Sequence, residues 1–239
     1  GTITVEKTGE VFFGVSVIGG VDESGNELPA IYQPQYEKRG LPGAVYEIIA
    51  AEDIITPDGT VRNQKGNVVD TVTTDENGTA VSRELYLGKY EVREITAPHE
   101  MVLNPEPHCV ELVYAGQNVA VTETATSFEN ERQKVEISLV KSIEQNERFG
   151  IGTNGEMKNI SFGLFAAEEI VSASGTSIPA NGLVEIISLN EDGTAKIKTD
   201  LPFGSYYVQE LATDSHYKLS DTKYPVTFGY ASQDTAVVK

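Results

Sequence analysis

The chain has 239 residues, of which 39% are hydrophobic and 23% charged, a composition that supports a packed core and excludes wholesale disorder or a collagen-like repeat. Its 36 acidic side chains against 18 basic ones give a formal charge of −18, which repels phosphate backbones and anionic lipid surfaces and argues against nucleic-acid or membrane partners. No run has the length and apolarity of a membrane span and no signal peptide opens the chain, so it reads as a soluble, trimmed piece of a larger protein.

In chain order, short alternating or β-branched runs at residues 2–5, 68–72, 90–95, 119–124, 135–140 and 224–228 predict strands. Turn clusters separate them: Gly19-Gly20, Asp58-Gly59, Glu76-Asn77-Gly78, Ala180-Asn181-Gly182 and Asp192-Gly193. The best helical candidates, residues 50–53 and 166–169, predict a turn at most. The expected fold class is all-β.

The chain repeats itself. Residues 46–54 (Tyr-Glu-Ile-Ile-Ala-Ala-Glu-Asp-Ile) align with 162–170 (Phe-Gly-Leu-Phe-Ala-Ala-Glu-Glu-Ile), and Gly88-Lys89-Tyr90 aligns with Gly204-Ser205-Tyr206, the same spacing of 116 residues. Asp75-Glu76-Asn77-Gly78 meets Asn190-Glu191-Asp192-Gly193 between them. Three blocks in one order imply two tandem β-domains, 1–132 and 133–239. The first carries an insertion near 15–43, expected to be a long hairpin or surface loop.

Alternation along a strand places Tyr90, Val92 and Glu94 on one face, and Tyr206, Val208 and Glu210 likewise in the second repeat. A carboxylate thus ends each core-facing row, where it needs a partner. The opening strands supply amines in the same way, through Ile3, Val5 and Lys7 and through Ile137, Leu139 and Lys141. At the close of the first repeat, Phe128 and Asn130 point together, which brings an amide to the same interior. Away from water an amine drifts toward its neutral, nucleophilic form and a carboxyl toward its protonated form. Glu94 could then polarise the Asn130 carbonyl and carry a proton as Lys7 attacks and ammonia leaves, forming a Lys-Asn isopeptide bond in a single turnover.

Val5-Glu6-Lys7-Thr8, the run from Leu85 to Pro98 that contains Tyr90-Glu91-Val92-Arg93-Glu94, and Phe128-Glu129-Asn130 resemble the collagen-adhesin B-type, prealbumin-like domains of Gram-positive surface proteins and pilins. The resemblance implies immunoglobulin-like β-sandwiches in which an opening lysine (Lys7) and a closing asparagine (Asn130) are joined spontaneously, with the strand glutamate (Glu94) as catalyst. Lys141 and Glu210 match in the second repeat. There the repeat spacing carries Asn130 to a position past Lys239, so the second domain is expected to lack its closing strand and to form no bond within these residues, leaving an edge open to a neighbouring chain.

Other motifs read blandly. His99, His108 and His216 lack metal-ligand spacing, so neither metal nor cofactor is expected. Asp22-Glu23-Ser24-Gly25 and Asp75-Glu76-Asn77-Gly78 read as hairpin turns rather than calcium loops. Cys109, the lone cysteine, is expected to be a buried small hydrophobe rather than a reactive thiol. Glu94 and Glu210 lie in different repeats and cannot form one glycosidase pair at ~5 to 9.5 Å, so no turnover enzyme is expected.

The expectation is therefore a stalk or pilin-type segment of a cell-wall-attached Gram-positive surface protein, with neighbouring domains or subunits as partners. The alternative is an adhesin that binds a host matrix protein or glycan through Tyr32, Gln33, Gln35 and Tyr36 of the insertion.

Overall fold

A computed structural model describes all 239 residues. The regular structure is twenty strands and two single 3-10 turns. The first ten strands are β1 (Thr2–Val21), β2 (Glu27–Gly40), β3 (Val45–Ala50), β4 (Ile54–Ile55), β5 (Val61–Asn63), β6 (Val68–Thr73), β7 (Thr79–Val81), β8 (Gly88–Thr96), β9 (His108–Leu112) and β10 (Glu123–Asn130). The second ten are β11 (Lys134–Val135), β12 (Ser138–Val140), β13 (Ser161–Ala166), β14 (Ile170–Val171), β15 (Ser177–Ile178), β16 (Leu183–Ser188), β17 (Thr194–Lys196), β18 (Gly204–Ala212), β19 (Tyr224–Phe228) and β20 (Val237–Val238). The strand expected over residues 119–124 begins only at Glu123, and the run at 135–140 is split into β11 and β12.

The chain forms two compact units. One comprises Gly1–Val11, Glu37–Gln133 and Ala231–Ala236; the other comprises Phe12–Tyr36, Lys134–Tyr230 and Val237–Lys239. Most of the expected insertion, the distal part of the β1–β2 hairpin, therefore groups with the second unit.

The first unit is a sandwich. One layer is the antiparallel sheet β6-β3-β8-β9; the other is built on β1, flanked by β10 in parallel and β7 antiparallel. Period-2 alternation decides what lies between them: β8 buries Tyr90, Val92 and Glu94 and exposes Lys89 and Arg93. Ile3, Val5, Tyr46, Ile48, Val92 and Phe128 meet in the core.

The second unit repeats this plan with β16-β13-β18-β19 as one layer and the short pairs β12-β17 and β11-β20 opposite. Residue Ile31 of β2 pairs in parallel with Leu183, adding a strand beside β16. Phe12, Val15 and Tyr32 pack on the second core. Beyond Val15 the apolar side chains of β1, Val17, Ile18 and Val21, are exposed.

Candidate functional site

In the first unit, four elements converge on one buried cluster. β1 runs beside β10 with Lys7 opposite Phe128 and Gly9 opposite Asn130. The Lys7 backbone N–H donates to the carbonyl of Gly78 at 2.7 Å. Gly78 has φ +78°, and a Cβ there would strike the Lys7 carbonyl, so the turn requires glycine to come this close. Across the core, β3 sets Tyr46 directly opposite Glu94.

Lys7, Glu94 and Asn130 are all buried, Lys7 completely. The Lys7 Nζ donates to Asn130 Oδ1 and lies 2.9 Å from Glu94 Oε1. Asn130 Nδ2 donates to both Glu94 carboxylate oxygens at 3.0 Å. The carboxylate is held from behind by the Asn104 backbone N–H at 2.8 Å on Oε2 and by the Tyr46 hydroxyl at 3.4 Å from Oε1. The rings of Tyr46 and Phe128 wall the amine, their centroids 5.9 and 5.8 Å from Nζ. Burial pushes the Lys7 ammonium below its ordinary value of 10.5, against the opposing pull of the Glu94 hydrogen bond and charge. Burial likewise raises the Tyr46 phenol, which stays protonated. One carboxylate thus touches both the amine and the amide nitrogen, the geometry that a proton shuttle between nucleophile and leaving group needs.

The second unit reproduces half of this arrangement. Phe162 lies opposite Glu210 as Tyr46 lies opposite Glu94. The Lys141 N–H donates to the Gly193 carbonyl at 2.9 Å, and Gly193, at φ +82°, has no room for a Cβ against the Lys141 carbonyl. Lys141 Nζ is 3.1 Å from Glu210 Oε1, and the Ser220 N–H donates to Oε2 at 2.8 Å. The structure brings no asparagine to this pair. The Lys141 side chain is 30% exposed while that of Glu210 is 2% exposed, and Glu210 Oε1 receives no aligned hydrogen bond.

Other expected residues fall elsewhere. Cys109 is exposed on β9 rather than buried: its neighbours Val110 and Leu112 take the inward positions, and alternation turns the thiol outward. Tyr32 packs on the second core and the Tyr36 hydroxyl donates to the Asp200 carbonyl at 2.9 Å, so these two rings of the insertion are engaged within the second unit. Asp22 and Asp75 accept backbone N–H groups of their own turns.

The fold defines a tandem prealbumin-like β-sandwich protein. The SpaA prealbumin-like fold domain family matches residues 33–127 and 149–239, and the chain belongs to that family. It is 25% identical over 147 residues to the trypsin-resistant surface T6 protein of Streptococcus pyogenes, covering 59% of this chain and 26% of that protein. Among solved structures, the Bacillus anthracis TIE protein is similar over 100% of this chain and 33% of its own, with a TM-score of 0.53 at 20% identity. The full-length major pilin SpaD of Corynebacterium diphtheriae is similar over 95% of this chain and 63% of its own, with a TM-score of 0.35 at 14% identity. The chain therefore spans about a quarter of the T6 protein and a third of the TIE protein.

Proposed function

We propose that this chain is a load-bearing segment of a Gram-positive cell-surface or pilus protein, and that its first unit is locked by a spontaneous isopeptide bond between Lys7 and Asn130. The contact of one buried carboxylate with both reacting nitrogens carries this reading. Lys7 gives up a proton to Glu94, the neutral Nζ attacks Asn130 Cγ, Glu94 returns that proton to the amide nitrogen, and as the C–Nδ2 bond breaks Glu94 takes the second proton from Nζ and ends protonated. The products are a secondary amide and ammonia. The folded core replaces diffusion by contact, which suffices for an event that occurs once per molecule.

The bond would tie β1 to β10 across 123 residues of chain. A link of that span restricts the unfolded state by on the order of 5 kcal/mol, and an amide, unlike a disulfide, survives a reducing environment. The acidic surface keeps such an extracellular segment soluble. Neighbouring domains or subunits of the same surface structure are its partners. Intact-protein mass spectrometry tests the reading: wild type is expected one ammonia lighter than its sequence, and Lys7→Ala and Glu94→Ala are expected at full mass. Wild type at full mass overturns it.

A further inference from the structure

We propose that His108 is a positioning residue of the first unit, fixing the register in which β10 delivers Asn130 to Lys7 and Glu94. The inference rests on the isopeptide chemistry proposed above and adds a residue which that chemistry does not itself use.

β10 is poorly specified by its own sequence. It ends its sheet and pairs on one side only, in parallel with β1. Its inward row is Thr124, Thr126, Phe128 and Asn130, and its outward row is Glu123, Ala125, Ser127 and Glu129. A single large apolar side chain, Phe128, thus distinguishes the two faces, and a strand so weakly patterned is prone to slip. A slip of one residue turns Glu129 inward and Asn130 out to solvent. A slip of two keeps the face but carries the amide roughly 7 Å along the sheet, out of reach of the amine.

His108 supplies the missing specification from the opposite layer. β9 ends the sheet β6-β3-β8-β9 as β10 ends the other, and His108 lies in the inward row of β9 with Val110 and Leu112. Its imidazole stacks on the Phe128 ring, with centroids 3.9 Å apart and planes 16° from parallel, and its Nδ1 lies 2.8 Å from Thr126 Oγ1. One ring therefore contacts two residues of β10, on the face that presents Asn130 two positions further on. Phe128 also meets the Tyr46 ring at 4.8 Å and is one of the two rings that wall the Lys7 amine. The other end of the clamp is fixed as well, because His108 pairs with Val92 of β8, two residues before Glu94. Any shift of β10 breaks the stack and the polar contact together, so His108 ties the position of the amide to the strand that carries the carboxylate. It acts through Phe128 and Thr126, not on the reacting atoms.

The test follows bond formation in the 239-residue chain made by cell-free synthesis and quenched at intervals, with intact mass recording the growth of the ammonia-light species. His108→Ala removes both contacts and is expected to slow conversion on the order of 100-fold, the effect of misplacing a reacting group by about 1 Å. His108→Phe keeps the stack and loses only the polar contact, and Thr126→Val removes that contact from the other side; both are expected to convert within about tenfold of wild type. Leu112→Ala, which empties a buried position at the far end of β9, is expected to keep the wild-type rate. If His108→Ala does not fold, His108→Val, a good strand former without a flat ring, takes its place in the comparison. The wild-type rate in the ring-deleted variant overturns the inference. So does a His108→Phe as slow as that variant, or a Leu112→Ala as slow, which would make the delay a general loss of stability. In each of these cases a wild type that still loses its ammonia leaves the crosslink standing, whereas a wild type that stays at full mass overturns the chemistry itself.

Discussion

The two units place a lysine and a glutamate by the same devices and differ in what covers them. In each, an inward-ending strand row presents the carboxylate, a backbone N–H ten residues further on holds one of its oxygens (Asn104 and Ser220), and a glycine turn docks on the lysine backbone (Gly78 and Gly193). In the first unit β10 lays Phe128 and Asn130 over the pair, and Lys7 is wholly buried. In the second no such strand lies over the pair, and Lys141 stays 30% exposed. The amine and the carboxylate are thus preorganised by the paired sheets, while the dryness and the electrophile come with the parallel strand.

The largest effect that separates the two units should come from the lysines. Lys7→Ala removes the amine of the proposed crosslink and leaves Glu94 buried without its cation, and is expected to cost on the order of 5 kcal/mol in denaturant unfolding. Lys141→Ala leaves Glu210 beside an open cavity that water reaches, and should cost about 1–3 kcal/mol. Equal losses would remove the distinction.

Phe128→Ala comes next, at about 3–5 kcal/mol for a large buried ring. It should also expose Lys7 and slow bond formation, visible as a mixture of full-mass and ammonia-light protein. Complete conversion would show that the ring does not keep the site dry.

A pH experiment sharpens the electrostatics of the first unit. In Asn130→Ala, which cannot form the bond, burial still holds the Lys7 pKa below 10.5. Between that lowered value and 10.5 the unfolded chain binds more protons than the folded one, so stability rises with pH through that window. Above about 10 the buried tyrosines, whose pKa values are raised, act with the opposite sign. Lys7→Met in the same background should abolish the rise, measured as the unfolding midpoint against pH. An unchanged slope would assign the rise to other groups.

The smallest effect is expected at the one residue of the two frameworks that differs in hydroxyl. Tyr46→Phe converts the first unit to the pattern of Phe162 and removes a 3.4 Å contact, for a cost below about 1 kcal/mol, and the bond should still form by mass. Failure to form it would make the phenol a required group.

Much of this was legible in the residues. Strand alternation alone put Glu94, Glu210, Lys7 and Lys141 on inward faces, because a half-buried strand has only two sides. The repeat spacing aligned the two pairs. The supporting groups were harder to read. Asn104 and Ser220 act through backbone N–H groups that any residue other than proline carries, and they lie in irregular segments, so no side-chain pattern marks them. Gly78 and Gly193 were visible as turn residues, but their approach to the lysine backbone is a tertiary fact. Alternation also misplaces nothing at Cys109 once the strand is known: the expectation of burial rested on residue type, and Val110 and Leu112 hold the inward positions instead. The destination of residues 12–36 could not be read locally, since it depends on a pairing between Ile31 and Leu183 far apart in the chain.

Tandem mass spectrometry of a proteolytic digest tests the central claim most directly, because it locates the bond rather than inferring it from mass. A single branched fragment joining the Lys7 peptide to the Asn130 peptide, with Lys141 released unmodified, is the predicted result. Recovery of the Lys7 and Asn130 peptides as separate linear fragments, each at its full mass, would contradict it.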